Sequence, residues 1–99
     1  MDRVLEIREQ KMTTSMVKRF EIRMALKDEV RDVEVRARKR RDGWEAQLYL
    51  LPRPKADPWL AREEKLGAPV LLHVDSEEAA IEEMMNHVKN YFRLEITNG

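Results

Sequence analysis

Apolar and polar residues alternate along much of the first half of the chain, and a different period takes over near its end. In MVKRFEIRMAL (16–26), Met16, Phe20, Ile22, Met24 and Leu26 share one parity, with Lys18 as the exception, while Arg19, Glu21 and Arg23 take the other. A period of two over this length predicts a half-buried strand. Val33, Val35 and Ala37 alternate with Glu34, Arg36, Arg38 and Arg40, which predicts a second. Asp42-Gly43 follows, a dipeptide favoured in two-residue hairpin turns because both central positions need positive φ. A third strand places Trp44, Ala46, Leu48 and Leu50 on one face and Glu45, Gln47, Tyr49 and Leu51 on the other.

The stretch from 51 to 69 holds all four prolines and is excluded as a central strand. Pro58 and Gly67 bracket WLAREEKL as a short helix inside a long proline-rich loop, 52–69. VLLHV (70–74) reads as a fourth strand. Asp75 or Ser76 can then cap a helix whose first turn carries Glu77 and Glu78, and Ile81, Met84, Met85, Val88 and Phe92 fall on one helical stripe. Residues 1–12 read as an edge strand or a loosely held arm, and Asn98-Gly99 as a frayed end. The expected molecule is one α+β domain spanning 1–99: an antiparallel sheet of about four strands with one long C-terminal helix packed on its apolar face.

Composition narrows the chemistry. The chain has 99 residues, 38% of them charged, and no net charge. Residues 1–55 carry 15 Lys+Arg against 10 Asp+Glu, whereas 56–99 carry 4 against 9, so the neutral total hides halves of opposite sign. With no cysteine there is no disulfide framework and no thiolate ligand or nucleophile, which fits a reducing compartment. No apolar run approaches the roughly 20 residues that span a bilayer, and MDRVLEIREQKM lacks the apolar core of a signal peptide. The expectation is a soluble, cytoplasmic chain without a membrane partner.

The alternation sets Arg19, Arg23, Arg36, Arg38 and Arg40 on the face opposite the helix, together with Gln47 and Tyr49. A basic sheet face carrying an aromatic ring can contact phosphates and stack on bases. The competing reading is a solvated face whose arginines pair across strands with Glu21, Glu34 and Glu45. His73 and His87 stand in no i, i+4 pair with a second ligand, so no metal is expected. The glutamate doublets 63–64, 77–78 and 82–83 point about 100° apart on a helix and do not converge on a substrate. Ser76, with His73 and Asp75 nearby, contains the residue types of a triad, but capping accounts for it. No glycine-rich phosphate loop exists, and neither an enzyme nor a cofactor is expected. Trp44 shares parity with the core positions. Trp59, with Leu60 beside it, either lids the core or stands out as an anchor for a partner.

The order of Arg36, Arg38, Trp44 and Glu77-Glu78-Ala79 loosely resembles the three-stranded DNA-reading sheet of AP2-type and integrase arm-binding domains. The glycine-turn hairpin, later strand and Ser-Glu-Glu-Ala helix start also resemble HicB-type antitoxins. The insertion 52–69 departs from both. The basic outer face leads to the expectation of a small non-enzymatic binding module, nucleic-acid-associated or regulatory, acting through Arg19, Arg23, Arg36, Arg38, Arg40 and Tyr49. The alternative is a protein-interaction or assembly module. It would be homodimeric through a sheet edge, through the Trp59–Leu60 loop, or by pairing the basic hairpin with the acidic helix of a mate.

Overall fold

Alternating burial builds the sheet. The computed structural model describes residues 2–10 and 16–98. Six strands form, β1 (Val4–Glu9), β2 (Val17–Met24), β3 (Val30–Arg40), β4 (Gly43–Leu50), β5 (Glu64–Leu72) and β6 (Ile96–Asn98), with one long helix, α1 (Glu77–Phe92), between the last two. They make a single sheet in the order β5-β4-β3-β2-β1-β6. All neighbours are antiparallel except β1 and β6, which run parallel with Ile7 opposite Ile96. The α+β class stands as expected. The sheet has six strands rather than about four, and it is mixed.

One face carries the core. Phe20, Ile22, Val33, Val35, Ala46 and Leu48 are fully buried beneath Ala80, Met84 and Val88 of the helix. The helix lies across β3, with β2 and β4 to either side. Burying each large apolar side chain of this kind is worth about 1.5–3 kcal/mol. Trp44 packs against the edge of this core. Lys18, the exception on its face, is half-buried and pairs with Glu9 at 3.7 Å. Leu26 does not continue the strand. It sits exposed in a 3-10 turn, Leu26–Asp28, whose Lys27 and Asp28 both adopt positive φ.

Other boundaries shift for physical reasons. β1 is an interior strand because β6 covers its outer side, and the Thr97 hydroxyl donates to the Ile7 carbonyl at 3.1 Å. Lys11 and Met12, the rest of the expected arm, lie outside the described residues, as does Gly99; Asn98 is paired rather than frayed. The β3–β4 hairpin forms, but Arg40 pairs with Gly43, so Arg41 and Asp42 make the turn, and neither takes positive φ. Gly43 does, at +146°, and a Cβ there would collide with the Leu72 carbonyl oxygen.

The expected helix over WLAREEKL is absent. Its second half is the start of β5, where Glu64, Lys65 and Leu66 pair with Leu50, Tyr49 and Leu48. The segment has no apolar stripe to bury as a helix, whereas as a strand it buries Leu66. β5 is an edge strand, a setting in which Pro69 is tolerated inside a sheet. It ends at Leu72, leaving His73 and Val74 beyond it. Between Leu66 and Val70 the register slips around Gly67, whose φ is +73°.

Candidate binding surfaces

The period of two brings the expected residues onto one outer face. Arg19 and Arg23 on β2, Arg36, Arg38 and Arg40 on β3, and Tyr49 on β4 all lie opposite the helix. The cross-strand register sets acids among them: Glu34 stands opposite Arg19 and Tyr49, and Glu45 opposite Arg38. Glu34 is 6% exposed at the centre of the face. It accepts from Arg19 Nη2 at 2.8 Å and Nε at 3.2 Å, and from Arg36 Nε at 2.6 Å. Burial alone would push its carboxyl up, but the two guanidiniums outweigh that and hold it below the usual range.

Arg36 is the most committed of the cations. Its Nη1 donates to Glu63 at 3.0 Å, its Nη2 makes a second bond to the same carboxylate, and its guanidinium lies 4.2 Å from the Tyr49 ring centre. The Glu63 hydrogen bonds raise its pKa against the opposing effect of burial. They also hold the Glu63 carboxyl low. Arg23 bonds Asp28 at 2.8 Å and lies 3.8 Å from Glu6. Glu45 takes Arg40 at 2.8 Å and Arg38 at 3.5 Å. The outer face is therefore a lattice of alternating charges, and most of its positive field is spent internally.

Gln47 is not a free amide for reading bases. It is 7% exposed, and its Nε2 donates to the carbonyls of Leu66 at 3.4 Å and Gly67 at 3.2 Å, as well as to that of Leu48 at 3.0 Å. These two β5 carbonyls lie where the register of β5 on β4 slips. Gln47 bridges that irregularity in the sheet.

At the hairpin tip, Lys39, Arg40, Arg41 and Asp42 share an open polar cleft of about 350 Å³ with His73, Val74 and Asp75. The basic tip thus faces the acidic start of the helix segment within one molecule. The two charge halves of the sequence interleave in space.

The proline-rich segment carries the most exposed apolar residues. Trp59 is 85% and Leu60 77% exposed. Trp59 does not lid the core. Asp57 organises the turn: its carboxylate accepts the Trp59 N–H at 2.9 Å, and its carbonyl accepts those of Leu60 at 2.9 Å and Ala61 at 2.8 Å. Arg62 donates to the carbonyls of Trp59 and Ala61. Arg53 ties the segment to the start of β3 through two bonds to Glu29, the shorter 2.6 Å. Leu26 and Val30 are also exposed at this end of the sheet, beside the 3-10 turn, and Tyr91 lines a cleft there with Asp2, Arg3 and Val4.

His73 is exposed, and His87 is half-buried on the helix, where burial lowers its pKa. Among the described residues, no group of three or more His, Asp or Glu is placed to hold a metal ion. No helix among them is long and apolar enough to cross a membrane. Two residues of this face were not legible beforehand. Glu63 and Lys65 stood inside the expected helix, and only a strand assignment for 64–72 reveals their side of the sheet. Comparison of the chain with protein-family models, curated proteins and solved structures finds no match, including to the DNA-reading and antitoxin patterns that its residue order resembles.

Proposed function

We propose that this chain is a protein-interaction module that self-associates through the end of the sheet bearing Trp59 and Leu60. The observation that carries the reading is a tryptophan 85% exposed on a turn already held by Asp57. An aromatic anchor presented on an ordered backbone loses little conformational freedom on docking, and such residues dominate interface energetics. Leu60, the next residue, is 77% exposed and enlarges the apolar surface it presents.

The other two routes to a dimer are weaker. The β5 edge is broken by Pro69, which offers no N–H, and by the slipped register beside it, both devices that blunt strand addition. β6 at the opposite edge is three residues long. Pairing a basic hairpin with a mate's acidic helix would have to reach a tip that already shares a cleft with its own Asp75.

Light scattering across a concentration series, at low and high salt, tests the reading. The expected result is a dimer indifferent to salt, because the surface is apolar. Trp59→Ala should weaken association by at least about 2 kcal/mol, roughly 30-fold in Kd. Its fold should be unaffected within about 0.5 kcal/mol, since the residue is exposed. A mass that stays monomeric at about 1 mM chain overturns the proposal.

A further inference from the structure

Most cations of the outer face are already engaged, so the ones that are not define a smaller site. Arg19, Arg23 and Arg36 each hold a carboxylate at 2.8 Å or closer. Arg38 is different. Its side chain is 70% exposed, and its one ion pair among the described residues is a 3.5 Å contact with Glu45, an acid that Arg40 holds more tightly at 2.8 Å. Lys65, on the edge strand β5 across β4 from Arg38, is exposed and makes no ion pair among the described residues. Both line one half-open cleft of about 320 Å³, with Gln47, Tyr49 and Pro69.

We propose that this cleft binds the phosphate of a single nucleotide unit, free or within a single strand, between Arg38 and Lys65, with the base against the Arg36–Tyr49 stack. Three features support this assignment. Arg38 offers a planar fork of donors and Lys65 a point charge, the two usual ways of holding phosphate. Arg36 is fixed by Glu34 and Glu63 and lies 4.2 Å from the centre of the Tyr49 ring, so the wall it forms with Tyr49 is ordered before any ligand arrives. Guanidinium planes and aromatic rings are the surfaces on which unpaired bases stack. The cleft is at the small end of the range for ligand sites, suited to one nucleotide. A duplex, whose bases are already stacked and paired, cannot use that wall. Glu45 also lines the cleft, and its charge is taken up by Arg40.

The test is fluorescence anisotropy with a labelled oligothymidylate at low salt, alongside the same sequence as a duplex and thymidine monophosphate as competitor. The cleft variant is Arg38→Gln/Lys65→Gln. The control is Lys55→Gln/Arg93→Gln, which removes the same charge from exposed positions outside the cleft. The wild type should bind the single strand with a Kd below about 100 μM. The cleft variant should bind at least tenfold more weakly, and its salt slope should fall by about 0.7, the contribution of the one phosphate the cleft holds. The control should retain both properties, and all three proteins should unfold at the same temperature. Displacement by the monophosphate assigns the cleft to a single nucleotide, and displacement by oligonucleotide alone assigns it to a strand. No binding at about 100 μM, equal losses in the two variants, or duplex binding as tight as single-strand binding would each overturn the proposal.

Discussion

Gln47 is buried on a sheet face that no second layer covers, and its environment gives the reason. Beside the slip between Leu66 and Val70, the Gln47 amide donates to the carbonyls of Leu66 and Gly67. A polar group on the outer face is thus as structural as an apolar one on the inner face. Gln47→Leu should cost about 1–3 kcal/mol, the penalty for leaving buried acceptors unsatisfied. Gln47→Glu should cost more at neutral pH, because a carboxylate would meet two carbonyl oxygens with nothing to donate. Urea midpoints at constant m-value measure both. A Leu variant as stable as the wild type would mean that water replaces the amide there. By contrast Arg38→Gln, on the same face but exposed, should stay within about 0.5 kcal/mol.

At the scale of elements, the helix ends in a way that invites a test. Ser76 caps its start, accepting the Ala79 N–H at 3.1 Å, but its last turn closes on Arg93 at φ +57°. A left-handed residue is needed to turn the chain toward β6, and Leu94 N–H completes the closure on the Lys89 carbonyl at 3.1 Å. Arg93→Gly should therefore stabilise the fold by up to about 1 kcal/mol, raising Tm by roughly 4–8 °C for a domain of this size. A lower Tm would show that the Arg93 side chain contributes more than its backbone costs.

The elements that could be read from the chain were those with an uninterrupted local pattern. β2, β3, β4 and α1 each bury a full alternating or helical stripe, and the parity of Arg19, Arg36 and Tyr49 came with them. The end of β5 was read as the strand 70–74, but its first six residues, 64–69, were hidden because proline and glycine signal a loop, while an edge strand with a register slip accommodates both. β6 was hidden because three residues carry no period. The pairing of Arg36 with Glu63 was hidden for a further reason: the partners are 27 residues apart and meet only once β5 is placed beside β4. Side-chain direction is local information, and the identity of a charge's neighbour is not.

Across the whole molecule, the interleaving of charge makes stability depend on pH in two separable steps. The carboxyls of Glu29, Glu34 and Glu63 are all held below their usual range, chiefly by Arg53, by Arg19 and Arg36 against the opposing effect of burial, and by Arg36 respectively. A group whose folded pKa is depressed adds stability that is present above its unfolded pKa and is lost as pH falls through the folded value. For these glutamates the loss begins near the unfolded value of about 4.3. His87 obeys the same sign at a higher pH. Burial disfavours its charged form, and its Nε2 is buried with no hydrogen-bond partner among the described residues. The unfolded chain therefore takes up a proton first, and stability should begin to fall as pH drops below about 6.5. Unfolding free energies from urea titrations at intervals between pH 8 and pH 3 should show both limbs. His87→Leu should flatten the profile between about pH 6.5 and 5 and leave the acidic limb unchanged. Parallel profiles for the variant and the wild type over that window would mean that the histidine opens to water before it is protonated, and that acid unfolding belongs to the carboxylate network alone.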